Sequence, residues 1–170
     1  MSFNITLKTS SSQKINWTLV SQYSLECTIP IKFMSDVFLY ADLVRREASA
    51  IYMFLVTLNK SYNKKTQFKK ITIICHNVKE LLDPFLEGVH LSNYEFFNYK
   101  TDSSSQLFEI EPSPSKLVNF SILGTHIARD LVNEPLSHLT ATILSNKIQS
   151  LGKEAGFIVE VLRENSIKKL

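Results

Sequence analysis

The stretch K-I-T-I-I-C, Lys70 to Cys75, decides how this chain is read. It is a compact apolar run bounded by Lys69 and by His76-Asn77, the profile of a short strand buried on both faces. Before it, Tyr40, Val44, Ala48, Ile51, Leu55 and Leu58 recur at intervals of three and four, a helical stripe of about five turns. The β-branched and aromatic run I-Y-M-F-L-V leaves a strand open for the second half of that stripe. After it, Val78, Leu82, Phe85, Val89, Ser92 and Phe96 share a second helical face, with Pro84 inside it as a point of kinking or splitting.

Outward from this centre the same alternation continues. Phe3–Lys8, Asn16–Ser21 and Leu25–Ile31 read as strands, the third interrupted by Pro30. Residues 101–106 form a loop by composition, and Leu107–Glu111 is a short strand stopped by Pro112 and Pro114. Ser115 is placed to cap a helix carrying Leu117, Phe120, Gly124, Ile127 and Leu131, which ends before Asn133-Glu134-Pro135. Thr140 caps a further helix bearing Leu144, Ile148, Leu151 and Ala155, and Gly156 closes it. Phe157–Leu162 reads as a strand, and Asn165-Ser166 opens another helix. Strands alternating with helices predict an α/β fold with a largely parallel or mixed sheet flanked by helices.

Composition narrows the function. With 44% apolar and 21% charged residues in 170, the chain is of ordinary globular composition. It holds only 4 glycines, Gly88, Gly124, Gly152 and Gly156, where average usage gives about 12. Neither a G-x-G-x-x-G turn nor a P-loop can be drawn, so most glycine-dependent nucleotide sites are excluded. The formal charge is +3, too small to call for nucleic acid. Its local concentration, Lys60, Lys64, Lys65, Lys69 and Lys70, lacks arginine and paired aromatics, and reads as a solvated loop before a phosphate patch. Cys27 and Cys75 suit free thiols in a reducing cytoplasm. No apolar leader segment stands at the N-terminus, and the longest apolar run, Ala50–Val56, is far short of a membrane span. The sequons at Asn4, Asn16, Asn59 and Asn119 are therefore read as chance.

Candidate chemistry is sparse. His76, His90, His126 and His138 show no metal-ligand spacing, and adjacent Cys75-His76 would point to opposite faces of a strand. His126 and Asp130 stand four apart on one helix, which permits a pair, but the available hydroxyls, Ser121 and Ser137, have no nucleophile-elbow context. Glu80, Asp83 and Glu87 are spaced as on a solvated helical face. No catalytic, cofactor-binding or metal-binding residue is assigned in this chain.

Two segments carry a resemblance beyond periodicity. E-G-V-H-L-S-N-Y-E-F-F-N-Y-K-T, Glu87–Thr101, resembles a stretch of the cytosolic two-metal leucyl aminopeptidases through Glu87, Gly88, Leu91, Tyr94, Phe96, Tyr99 and Lys100. A-R-D-L-V-N-E-P-L-S-H-L-T-A-T-I-L, Ala128–Leu144, is similar to a second stretch of that family through Arg129, Asp130, Leu131, Asn133, Pro135, Thr140 and Leu144. Departures are Leu136-Ser137-His138 after the proline and Ala141 where a second proline is common. The likeness runs over about residues 70–170 and is loose in the first 65.

The resemblance implies three parts: a macro-domain-like α/β domain over 1–112, a connecting helix over 113–135, and over 136–170 the opening helix and strand of a catalytic domain that continues beyond this chain. The family's two divalent metal ions, zinc or manganese, and the ligands that hold them are expected only in that catalytic domain, since the N-T-D-A-E-G-R-L signature is absent here. The implied role is a non-catalytic amino-terminal portion of a metal-dependent, cytoplasmic aminopeptidase. It would support packing of a homo-oligomer, a hexamer in the intact family, and shape access to the active sites. Peptide substrate would be met only with the catalytic domain; nucleic acid and membrane are not expected partners. The competing reading is a stand-alone ligand- or nucleic-acid-binding module of macro-like fold.

Overall fold

The structure, a computed structural model, describes residues 1–34, 36–99 and 107–168. They divide into two compact units, 1–127 and 128–170.

The first unit is built on five strands: β1 (Ser2–Ser10), β2 (Asn16–Ser21), β3 (Ser24–Pro30), β4 (Lys70–Cys75) and β5 (Glu109–Glu111). Their order in the sheet is β2-β3-β1-β4-β5. β1 runs parallel to both β3 and β4, and β4 parallel to β5, while the hairpin partner β2 is antiparallel to β3. The sheet is therefore mixed. Helix α1 (Val37–Ser61) carries the chain from β3 across β1 to β4, and α2 (Lys79–Ser92) carries it from β4 to β5. Asp36 caps α1 by accepting the Leu39 amide at 2.9 Å. The run I-Y-M-F-L-V stays helical throughout, because Ile51, Tyr52 and Leu55 fall on the buried stripe that packing rewards.

Both helices pack on one face of the sheet. Phe3, Ile5 and Leu7 of β1, Leu25, Cys27 and Ile29 of β3, and Ile71 and Ile73 of β4 form one core with Val44, Ala48, Ile51 and Leu55 of α1 and Leu81, Phe85 and Val89 of α2. The strand Lys70–Cys75 is thus buried on one face, not two: Ile71 and Ile73 are covered, whereas Ile74 is 39% exposed. The other face bears Lys8, Glu26, Lys70 and Glu111, joined as ion pairs Lys8–Glu26 at 2.7 Å and Lys70–Glu111 at 2.6 Å. Those polar partners let a mainly parallel sheet face water on one side.

In α2 the helix runs unbroken through Pro84, and its buried residues include Leu81, Pro84, Phe85, Leu86 and Val89. Leu82 is only partly buried, and Phe96 lies beyond the helix end at Ser92. The loop read over 101–106 lies outside the described residues.

Helix α3 (Lys116–Asn133) begins in the first unit and ends in the second. Its predicted apolar stripe is not its buried face. Leu117 and Phe120 are 78% and 59% exposed, whereas Ile122 is buried. The second unit continues with α4 (Ala141–Ala155) and α5 (Glu164–Ile167). Thr140 accepts the Ile143 amide, and Gly156 ends α4 in the left-handed region with φ 83°. Phe157–Leu162 does not form a strand: it finds no ladder partner among the described residues. Its packing is against α4 instead, since a Cβ on Gly152 would overlap the Val159 side chain. The expected α4 stripe is also open, with Ile148 41% exposed.

Candidate functional site

The first family-like block, from Glu87 onward, begins in the second half of α2, where Glu87, Ser92 and Asn93 join that helix to α1 and to the approach to β5. Glu87 accepts from the Arg45 guanidinium at 2.5 Å. Gly88 lets the helices meet, since a Cβ there would overlap the Arg45 carbonyl oxygen and the Ala48 side chain. Ser92 shares a hydrogen bond with Ser49 and donates to the Gly88 carbonyl at 2.8 Å. Asn93 accepts from the Tyr52 hydroxyl at 2.7 Å and from the Phe108 amide at 2.9 Å, and donates to the Phe108 carbonyl at 2.8 Å. Burial, with the nearby Glu95 charge, pushes the Tyr52 phenol up to about 12, which keeps it a donor. Lys100 and Thr101, the end of the block, lie outside the described residues.

Of the carboxylates read as a solvated face, two are in use. Glu87 holds Arg45, and Asp83 accepts the Ser115 amide at 2.9 Å, fixing the chain as it enters α3. Ser115 in turn accepts weakly from Val118 at 3.5 Å. Glu80 stays exposed on the first turn of α2.

The histidines separate. His76 is exposed just after β4, and its amide donates to the Leu7 carbonyl at 2.8 Å. His138 lies in the second unit, its Nδ1 3.0 Å from the Ser137 hydroxyl. His90 of α2 and His126 of α3 approach each other, and the His126 ring packs on Tyr94 with centroids 5.1 Å apart. Burial, helped by the His126 charge, lowers the pKa of His90. His90, half-buried on α2, therefore favours the neutral imidazole. Ser121 is exposed on α3.

Among the described residues no group of three His, Cys, Asp or Glu side chains converges to hold a metal ion. Cys27 and Cys75 are unpaired thiols, and burial beside Glu47 pushes Cys27 up to about 12. The lysine cluster is the solvated connection between α1 and β4, ordered by Asn63, whose side chain accepts the Thr66 amide at 3.1 Å. No described helix is long and apolar enough to cross a membrane.

In the second unit, the second block forms the end of α3 and the start of α4, where Glu134 receives the Lys147 ammonium at 3.2 Å. A cavity of about 560 Å³ opens between α4 and residues 161–164, lined by Ser145, Asn146, Gln149, Arg163 and Glu164 among others. Its polar side chains can hydrogen-bond.

No family model matches the sequence. Relatives do. The chain is 30% identical over 108 residues to a probable cytosol aminopeptidase of Clostridium perfringens, and 33% identical over 95 residues to one of Fusobacterium nucleatum. These alignments cover 55% and 52% of this chain but only 22% and 20% of the relatives, so the chain spans about a fifth of their length. In structure it resembles the bottromycin maturation enzyme BotP, with a TM-score of 0.62 at 15% identity, over 99% of this chain and 41% of BotP. A second BotP structure, in complex with Mn, matches with a TM-score of 0.53. About half of the chain is thus related, distantly, to cytosol aminopeptidases, and its mixed α/β fold is shared with part of BotP.

Proposed function

We propose that this chain is the amino-terminal, non-catalytic portion of a leucyl aminopeptidase-like metallopeptidase. Residues 1–112 would be its α/β domain of macro-like type, 113–135 the connecting helix, and 136–170 the opening of a catalytic domain. The observation that carries the reading is the asymmetry of the alignments: half of this chain corresponds to a fifth of each relative. The second unit supports it, because the apolar side of α4 and Ile158, 99% exposed, suit burial against further structure.

The described residues do not fit a two-metal centre, so no catalytic step is derived through them. In this reading two divalent ions, zinc or manganese, belong to the catalytic domain, with peptide as its substrate. The present chain would contribute oligomer packing and control of access in a cytoplasmic enzyme.

The test is hydrolysis of amino-acid naphthylamides by the purified 170-residue chain with manganese or zinc. No turnover is expected, and metal-dependent turnover refutes the non-catalytic assignment. Sedimentation of the same chain, alone and joined to the catalytic portion of a relative, tests its part in oligomer packing.

A further inference from the structure

At the carboxyl ends of β1 and β3 lies a cavity of about 290 Å³, lined by Gln13, Lys14, Ile15, Phe33, Leu43 and Glu47. This is the edge at which open α/β sheets commonly take ligands. Its walls divide by chemistry. Ile15, Phe33 and Leu43 give an apolar surface, with Phe33 fixed by stacking on Tyr40 at 3.9 Å and Leu43 left 36% exposed. One charge of each sign borders them, Lys14 from the β1–β2 connection and Glu47 from α1. These two charges are not paired with each other, and neither has another ion-pair partner among the described residues. Gln13 accepts from the Lys32 ammonium at 2.8 Å through Oε1, which leaves its amide N–H groups to donate.

We propose that this cavity binds a free α-amino acid with an apolar side chain. The carboxylate would be met by Lys14 and the Gln13 amide, the ammonium by Glu47, and the side chain by Ile15, Phe33 and Leu43. A ligand of single charge engages one of the two protein ions, whereas a zwitterion engages both. Leucine and methionine fit within about 290 Å³ and reach the apolar wall, which glycine cannot. The assignment is independent of the aminopeptidase reading.

Calorimetric titration of the 170-residue chain with L-leucine tests it, alongside isocaproate and isoamylamine, each of which keeps one charge of leucine. Saturable binding of leucine is expected, with each singly charged analogue weaker by about tenfold or more. Lys14→Gln and Glu47→Gln are each expected to weaken leucine by a similar factor while leaving the analogue that lacks the matching charge unchanged. Lys14 is exposed and Glu47 half-buried, and an unaltered circular dichroism spectrum confirms that the variants fold. Absence of saturable leucine binding, or equal affinity for leucine and the two analogues, overturns the proposal. So does leucine binding that both variants retain.

Discussion

Asn93 clasps the backbone of Phe108: its Oδ1 accepts the Phe108 N–H at 2.9 Å and its Nδ2 donates to the Phe108 C=O at 2.8 Å. Asn59 does the same to Phe68, at 2.9 and 3.0 Å. Each asparagine sits at the end of a helix and grips the residue that leads into the following region of the sheet. A side-chain amide has the donor and acceptor of a peptide group, so it satisfies backbone that the sheet ladder has not yet reached. The gripped residues are also neighbours, since the Phe68 and Phe108 rings stack at 5.1 Å.

Asn59 is 3% exposed, so its loss strands a buried N–H and a buried C=O together. Asn59→Ala is expected to cost about 3 kcal/mol, from two unpaired groups at about 1–3 kcal/mol each. A fall in the urea midpoint at unchanged slope measures it. Asn93→Ala is expected to cost less, because its bonds are only part-buried and water can replace them.

Gly88 and Gly124 predict opposite signs for the same substitution. Gly88→Ala drives a methyl into the Arg45 carbonyl and Ala48, prying α1 from α2 at about 1–3 kcal/mol. Gly124 meets nothing within 4 Å, so Gly124→Ala gains helix propensity and stabilises by up to about 1 kcal/mol. Thermal or urea unfolding of the pair gives both signs.

Thiol reactivity should divide the two cysteines. Cys27 is 0% exposed, and its thiol, pushed up to about 12, stays protonated and shielded near neutral pH. Iodoacetamide is expected to spare Cys27 in the native protein and modify it once urea unfolds the chain, as peptide mass analysis reads. Partly exposed Cys75 is the one expected to react first.

The neutral His90 gives a pH dependence of definite sign. Its folded pKa lies below the unfolded value of about 6.5, so the unfolded chain takes up the proton first as pH falls. The stability it permits is complete above about pH 6.5 and is lost as pH falls toward the folded value. His90→Gln is expected to flatten that part of the stability curve, measured as urea midpoints from pH 7.5 down to about 5. An unchanged slope in the variant would assign the dependence elsewhere.

The strands and helices were legible where local chemistry decides them. Lys70–Cys75 and Asn16–Ser21 fall where their β-rich runs place them, and Thr140 and Gly156 cap α4 as their side chains dictate. The clasps of Asn59 and Asn93 were not legible, because each partner lies 9 or 15 residues away and is a backbone group that any residue carries. In the sequence Asn59 stands out only as part of a sequon read as chance, and its amide nitrogen is buried in a hydrogen bond.

By itself the sequence determined the alternation of elements, the absence of glycine-rich phosphate loops and the two family-like blocks. The fold decided which faces those elements bury. Periodicity shows that Leu117 and Phe120 share a side of α3, yet the core takes Ile122; it shows Phe157–Leu162 as strand-like, yet a strand needs a neighbour to pair with. Local propensity is a property of a few adjacent residues, whereas burial and pairing are settled by groups far apart in the chain.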